Sequence, residues 1–142
     1  MDEPPRMREF KKLPDLSDPV ERERLSPAGI TVFVNISKLW ELTDAQALDL
    51  LGVDTSSTLF EWQARTEERT LDQDTLMRIS YLVGIYKALH IYFGPDLANR
   101  WATLHNQNDL FAGDTPVDYM IRHGPPGMKL VRNMVDAWAA GS

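Results

Sequence analysis

A chain of 142 residues with 43% hydrophobic and 25% charged side chains has the size and composition of one folded domain or two small ones. Its formal net charge of -6 leaves no broad cationic face for sequence-independent binding to phosphate backbones, so any nucleic-acid contact must be local. Without cysteine there is no disulfide, thiolate nucleophile or Cys-ligated metal; the apolar run Ile30 to Val34 is far short of the roughly 20 residues of a membrane span, and the charged, proline-rich start is unlike a signal peptide, so a cytoplasmic protein without membrane contact is expected.

The first 26 residues hold six basic and seven acidic side chains and four prolines among few apolar anchors, too little burial to offset the entropy of ordering. Residues 1–26 therefore read as a mobile arm, with at most a short helix around Val20 to Leu25 that lacks a buried face. Ser26 then caps a helix whose first residue is Pro27, where a missing amide hydrogen costs nothing, and Ile30, Phe33, Val34 and Ser37 share one side of it. The β-branched run makes a strand through Ile30 to Ile36 the competing reading. Thr43 caps the next helix in a capping box with Gln46, Leu48 and Leu51 face inward, and Gly52 ends it. A short helix follows from Ser56 or Ser57 to about Arg65.

Leu76, Ile79, Leu82, Val83, Tyr86 and Leu89 form a broad helical stripe on a fourth helix, from Asp72 or Asp74 to about Ile91. Phe93-Gly94-Pro95 breaks the chain before a fifth helix through Trp101 and Leu104, and Asn106 to Gly113 reads as a loop. Asp114 and Pro116 start a sixth helix that stops at Gly124, and a last one from about Pro126 buries Leu130, Met134 or Val135, and Trp138. No sheet and no internal repeat is predicted. The fold class is all-α, divided into the arm over 1–26, a helix-turn-helix bundle over 27–91 and a small helical domain over 92–142.

Helix, glycine turn and short helix over Ala45 to Arg65 have the shape of a helix-turn-helix. Thr58 stands six residues after Gly52, where an apolar residue is usual, and Leu59 comes one position late, so the turn is longer by a residue. Ser56, Ser57 and Thr58 are the candidate phosphate donors and Arg65 the one basic side chain on the second helix, against Asp54 and Glu61. Binding of DNA by the isolated chain is accordingly expected to be weak or absent. His90, His105 and His123 lie on separate elements without the i, i+4 spacing of a helical metal site, and Asp114 is explained as a helix cap, so no metal, cofactor or catalytic residue is predicted and the chain is not expected to be an enzyme. Trp40, Trp62 and Trp101 read as core anchors; Phe111 plugs the core from a loop, and Gly113 supplies an unusual backbone angle. Trp138, close to the end of the sequence, divides between core and interface.

From Leu39 to Ala139 the chain resembles the Xre/MbcA/ParS type of bacterial antitoxin. The amino half of the likeness rests on Leu39-Trp40, Leu50-Leu51-Gly52-Val53, Trp62 and the run Arg78 to Leu89; the carboxyl half rests on Trp101, Asn106, Phe111, Gly113, Thr115 to Met120, Gly124, Val131-Arg132 and Val135-Asp136-Ala137. The resemblance implies a helix-turn-helix followed by a toxin-binding domain over 92–142, a RES-domain toxin that degrades NAD as partner, and operator DNA as a second partner through autoregulation. It further implies toxin contacts drawn from Phe111, Tyr119, Arg132, Asp136 and Trp138, with the last helix reaching toward the toxin's substrate cleft, and a homodimer. The second helix carries fewer basic residues than DNA-binding relatives, and Trp138-Ala139-Ala140 lacks the basic residue they place near the tryptophan. A stand-alone DNA-binding regulator is the alternative function.

Overall fold

A computed structural model describes residues 6–7 and 15–141. Among them are six α-helices and no strand: α1 (Pro19–Leu39), α2 (Asp44–Leu51), α3 (Leu59–Thr66), α4 (Gln73–Phe93), α5 (Pro95–Trp101) and α6 (Pro116–Ala140). The all-α expectation holds. Twelve of the 21 residues of α4 are buried, which makes it the central helix; α6 packs along it most extensively, and α1, α5 and α2 cover further sides.

The first helix corrects the reading of the amino end. α1 starts at Pro19, capped by Asp18, whose carboxylate accepts from the Val20 amide at 2.9 Å. It runs straight through the predicted start at Ser26-Pro27. Ser26 is no cap: its buried hydroxyl donates to the Arg22 carbonyl at 2.7 Å and accepts from the Leu71 amide at 2.8 Å, tying the entry to α4 onto α1. Pro27 is exposed within the helix, so water can take the carbonyl that its missing N–H leaves unbonded. Leu25, Leu16 and Met7 lie in the core, and Arg22 donates to the Leu16 carbonyl at 2.9 Å. Glu23 and Arg24 are exposed on the outer side of the first turns of α1, whose Leu25 and Ser26 face the core. Residues 1–5 and 8–14 of that predicted arm lie outside the described residues.

The later caps follow local chemistry closely. At α2, Thr43 Oγ1 accepts from the Gln46 amide at 3.1 Å while Gln46 Oε1 accepts from the Thr43 amide at 3.0 Å, as predicted. Gly52 terminates it with φ 69°, a left-handed conformation that side chains resist. α3 is capped by Thr58, later than the Ser56 or Ser57 expected, because Thr58 can form a second capping box with Glu61. Trp62 is the buried anchor of α3, edge-on to Phe33 of α1 at 6.0 Å between ring centroids. α5 ends at Trp101, before the Leu104 predicted for it.

α6 is two arms joined at Gly124, whose φ 65° and ψ -152° fall in a region open essentially to glycine alone. The break predicted there is present. The cap of the first arm is Thr115 and not Asp114: Thr115 Oγ1 accepts from the Asp118 amide at 3.0 Å, whereas the Asp114 carboxylate pairs with Arg122. On the second arm Met128, Val131 and Val135 point inward and Leu130, predicted buried, is 51% exposed. The inward register is set one residue away from Leu130 by the close approach of α6 to α4 at Gly84, where an added Cβ would stand 2.4 Å from Arg132 Nε.

Candidate interaction surfaces

Two parts of the surface hold the residues singled out from the sequence. The first is the α2–α3 hairpin. Asp44, the first residue of α2, accepts from the Leu59 amide at 3.2 Å and so joins the starts of the two helices. Arg78 of α4 donates to the Leu50 carbonyl at 3.2 Å and pairs with Asp74 at 2.9 Å, satisfying the end of α2 from behind. The candidate phosphate donors are occupied within the hairpin. Ser56 donates to Asp54 through both its amide and its hydroxyl, each at 2.9 Å, and these bonds hold the Asp54 carboxyl below the usual carboxylate range, keeping a negative charge beside the predicted phosphate site. Ser57 Oγ accepts from Arg65 at 3.4 Å, and Thr58 is committed to the α3 cap. Arg65 is exposed.

Phe60 was not singled out by the sequence reading, yet it is 77% exposed on the first turn of α3. Its signal was readable, since a residue two before the buried Trp62 lies about 200° around a helix from it.

The second part is the aromatic corner where the ends of α4, α5 and α6 meet. Trp138 is half-buried, with ring centroids 5.5 Å from Tyr92, 6.2 Å from Phe93 and 5.9 Å from Trp101. One side packs on the core edge while the other faces solvent. Tyr92 is 46% exposed beside it, and Ile91 and Leu97 of the adjoining elements are also exposed.

Phe111 and Tyr119 are buried, stacked edge-on at 5.4 Å with Phe111 also on Trp101. They fix the loop before α6 beneath the corner, and Gly113 in that loop has φ 93°. Arg132 is drawn across α4, donating to the Ser80 carbonyl at 3.3 Å and lying 3.5 Å from the half-exposed Asp136. The structure thus brings Trp138 and Asp136 to one end of α6 and places Phe111 and Tyr119 behind them, not beside them.

The histidines stay apart. His90 is buried, its Nδ1 2.9 Å from the Tyr86 carbonyl, and burial pushes its pKa below the ordinary value. His105 Nδ1 lies 2.9 Å from the Gly113 carbonyl, and His123 stacks on Tyr119 at 4.4 Å. No group of three or more His, Asp or Glu among the described residues is arranged to hold a metal ion. Arg122 beside Asp114 holds that carboxyl below the usual range, consistent with an ion pair that steadies the start of α6. No helix among the described residues is long and apolar enough to cross a membrane.

The geometry of α1 to α4 agrees with comparison against known proteins. The family described as the antitoxin Xre-like helix-turn-helix domain matches residues 19–84, from the first residue of α1 to the Gly84 contact in α4. Protein y4oB of Sinorhizobium fredii is 32% identical over 126 residues, covering 88% of this chain and 95% of that one. The chain belongs to the y4oB family and carries an antitoxin Xre-like helix-turn-helix domain. No solved structure matches it. The match to the Xre-like domain begins at Pro19, which agrees with α1 starting there and not at Pro27. The aromatic corner lies beyond the matched Xre-like segment but within a chain that aligns with y4oB over most of its length.

Proposed function

We propose that the chain is the antitoxin of a toxin–antitoxin pair and that it neutralises a RES-type, NAD-degrading toxin by covering its substrate cleft with the end of α6. The observation that carries this reading is the half-buried Trp138 at the aromatic corner, next to exposed Tyr92, on a chain whose amino-terminal part is an antitoxin-type domain. A wide aromatic side chain held in place by Phe93 and Trp101 loses little freedom on binding, which is the property of an interface anchor. Asp136, two residues before Trp138 and so about 200° around α6 from it, is loosely paired with Arg132 and meets only a partner that wraps the end of the helix. The chain makes and breaks no bond; neutralisation follows mass action through a tight complex.

A second reading, a stand-alone DNA-binding regulator, draws support from the matched helix-turn-helix. The occupied Ser56, Ser57 and Thr58 and the ionised Asp54 oppose it, because each phosphate contact would first have to displace an internal bond. Autoregulation of the operon would then depend on the complex with toxin, or on a second copy doubling the contacts.

The test is co-expression of the toxin encoded next to this chain with the full chain, with Trp138→Ala and with a version ending at Asp136, following growth and cellular NAD. Loss of protection with helical content retained is the expected result. Full protection by the shortened chain would move the interface away from the aromatic corner.

A further inference from the structure

Beside the hairpin, on the face away from α4, a groove of about 450 Å³ runs between the end of α1 and the start of α3. This is within the size range of sites that bury a small ligand or an anchoring side chain. Val34, Leu42 and Leu59 form its apolar floor, and Phe60 stands at its edge, 77% exposed. An aromatic ring so far into solvent is costly for a chain that buries its other phenylalanines in or against the core among the described residues.

Ser37 lines the same groove. It is 2% exposed, and its hydroxyl has no hydrogen-bond partner. Closed off from solvent, that hydroxyl stays behind the groove wall and takes no part in what enters. Charge decides what enters. Glu41 and Asp44 line the groove and Glu61 lies on the adjoining turn of α3, against the single cation Lys38. Those carboxylates repel phosphate, and a second copy of the same acidic face would set them against one another.

We infer that this groove is a protein-docking site, taking a segment of another protein in which an apolar side chain is flanked by lysine or arginine. The apolar side chain fills the floor against Leu42 and Leu59, and the flanking cations meet Glu41 and Glu61 and the face of Phe60. The site is independent of the aromatic corner and does not rest on the toxin reading. It has one consequence for the hairpin: α3 is the helix that a helix-turn-helix lays in the major groove, so a partner seated on Phe60 covers it. Protein and duplex would compete for this face.

The experiment uses the full chain and a fluorescein-labelled peptide of two leucines flanked on each side by two arginines, with a matched peptide carrying glutamates in place of arginines. Fluorescence anisotropy should show saturable binding of the cationic peptide and none of the acidic one. Phe60→Ser, at an exposed position, should weaken binding about tenfold or more while leaving helicity and thermal stability unchanged. Absence of saturable binding, equal binding of the acidic peptide, or indifference to Phe60→Ser would overturn the proposal. So would a dimer in sedimentation equilibrium that Phe60→Ser dissolves, which would give the groove to a second copy.

Discussion

The α2–α3 hairpin and the aromatic corner solve opposite problems with the same helical material. In the hairpin almost every polar group near the turn is spent internally: two capping boxes, the Asp44–Leu59 bond, Ser56 on Asp54 and Arg78 on the end of α2. It hangs on the core by Leu48, Leu50 and Leu51 of α2 and by Trp62 of α3. The corner has few hydrogen bonds and is held by ring contacts among Tyr92, Phe93, Trp101 and Trp138, part of whose area faces water. Hydrogen bonds already made leave the turn of the hairpin little to offer a phosphate, whereas a corner built from half-covered rings gains by being covered.

Several changes would break or sharpen that contrast. The largest effect should come from deleting the residues before Ser26, because Leu16 and Leu25 go with the first turns of α1 and the hairpin loses the helix it rests on. A cost of several kcal/mol is expected from two buried leucines at about 2–5 kcal/mol each, read as a large fall in melting temperature. An unchanged melting curve would show that α1 needs no entry segment. Next, Trp62→Ala should cost about 3–5 kcal/mol and Trp138→Ala about 1–2 kcal/mol, since the first ring is buried and the second half-covered. Their order should reverse in protection against the toxin. Chemical denaturation and the growth assay together measure both halves of that statement.

Gly124→Ala should cost about 1–3 kcal/mol, because its backbone conformation is closed to a side chain, and should loosen the angle between the two arms of α6 that aims Trp138. His90, beneath the corner, gives a pH effect of known sign. Its folded pKa lies below the ordinary 6.5, so the unfolded chain binds the proton more readily. Stability should be level above about pH 7 and fall as pH drops below about 6.5, and His90→Gln should flatten that part of the profile. The smallest effect belongs to Leu130→Ser, within about 0.5 kcal/mol, because this side chain is exposed despite its place in the apolar pattern.

Local chemistry was the most legible layer of the sequence. The Thr43–Gln46 capping box, the Gly52 stop, the break at Gly124 and the burial of Trp40, Trp62 and Trp101 all follow from residues within a turn or two of the feature they create. What escaped involved distant partners. Ser26 looks like a cap because serine before proline usually is one, and its true role depends on Leu71, 45 positions away. The register of the last arm depends on Gly84 receiving Arg132, so that Leu130 turns out and Val131 turns in. The aromatic corner was half visible: Trp138 stood out by its position, but Tyr92 did not, because it immediately follows a long buried stripe and nothing in the sequence says where the covering helix stops.

The burial of α4 also fixes an order of events during synthesis. This helix is enclosed on most sides, and the element that covers the greatest part of it, α6, is not complete until residue 140. At translation rates of about 5–20 residues per second, the nascent chain carries the finished α4 for a few seconds before its main cover exists. During that interval α4 has cover only from α1, α2 and, once it is made, the short α5, and the chain is at its most vulnerable to proteases and its own aggregation.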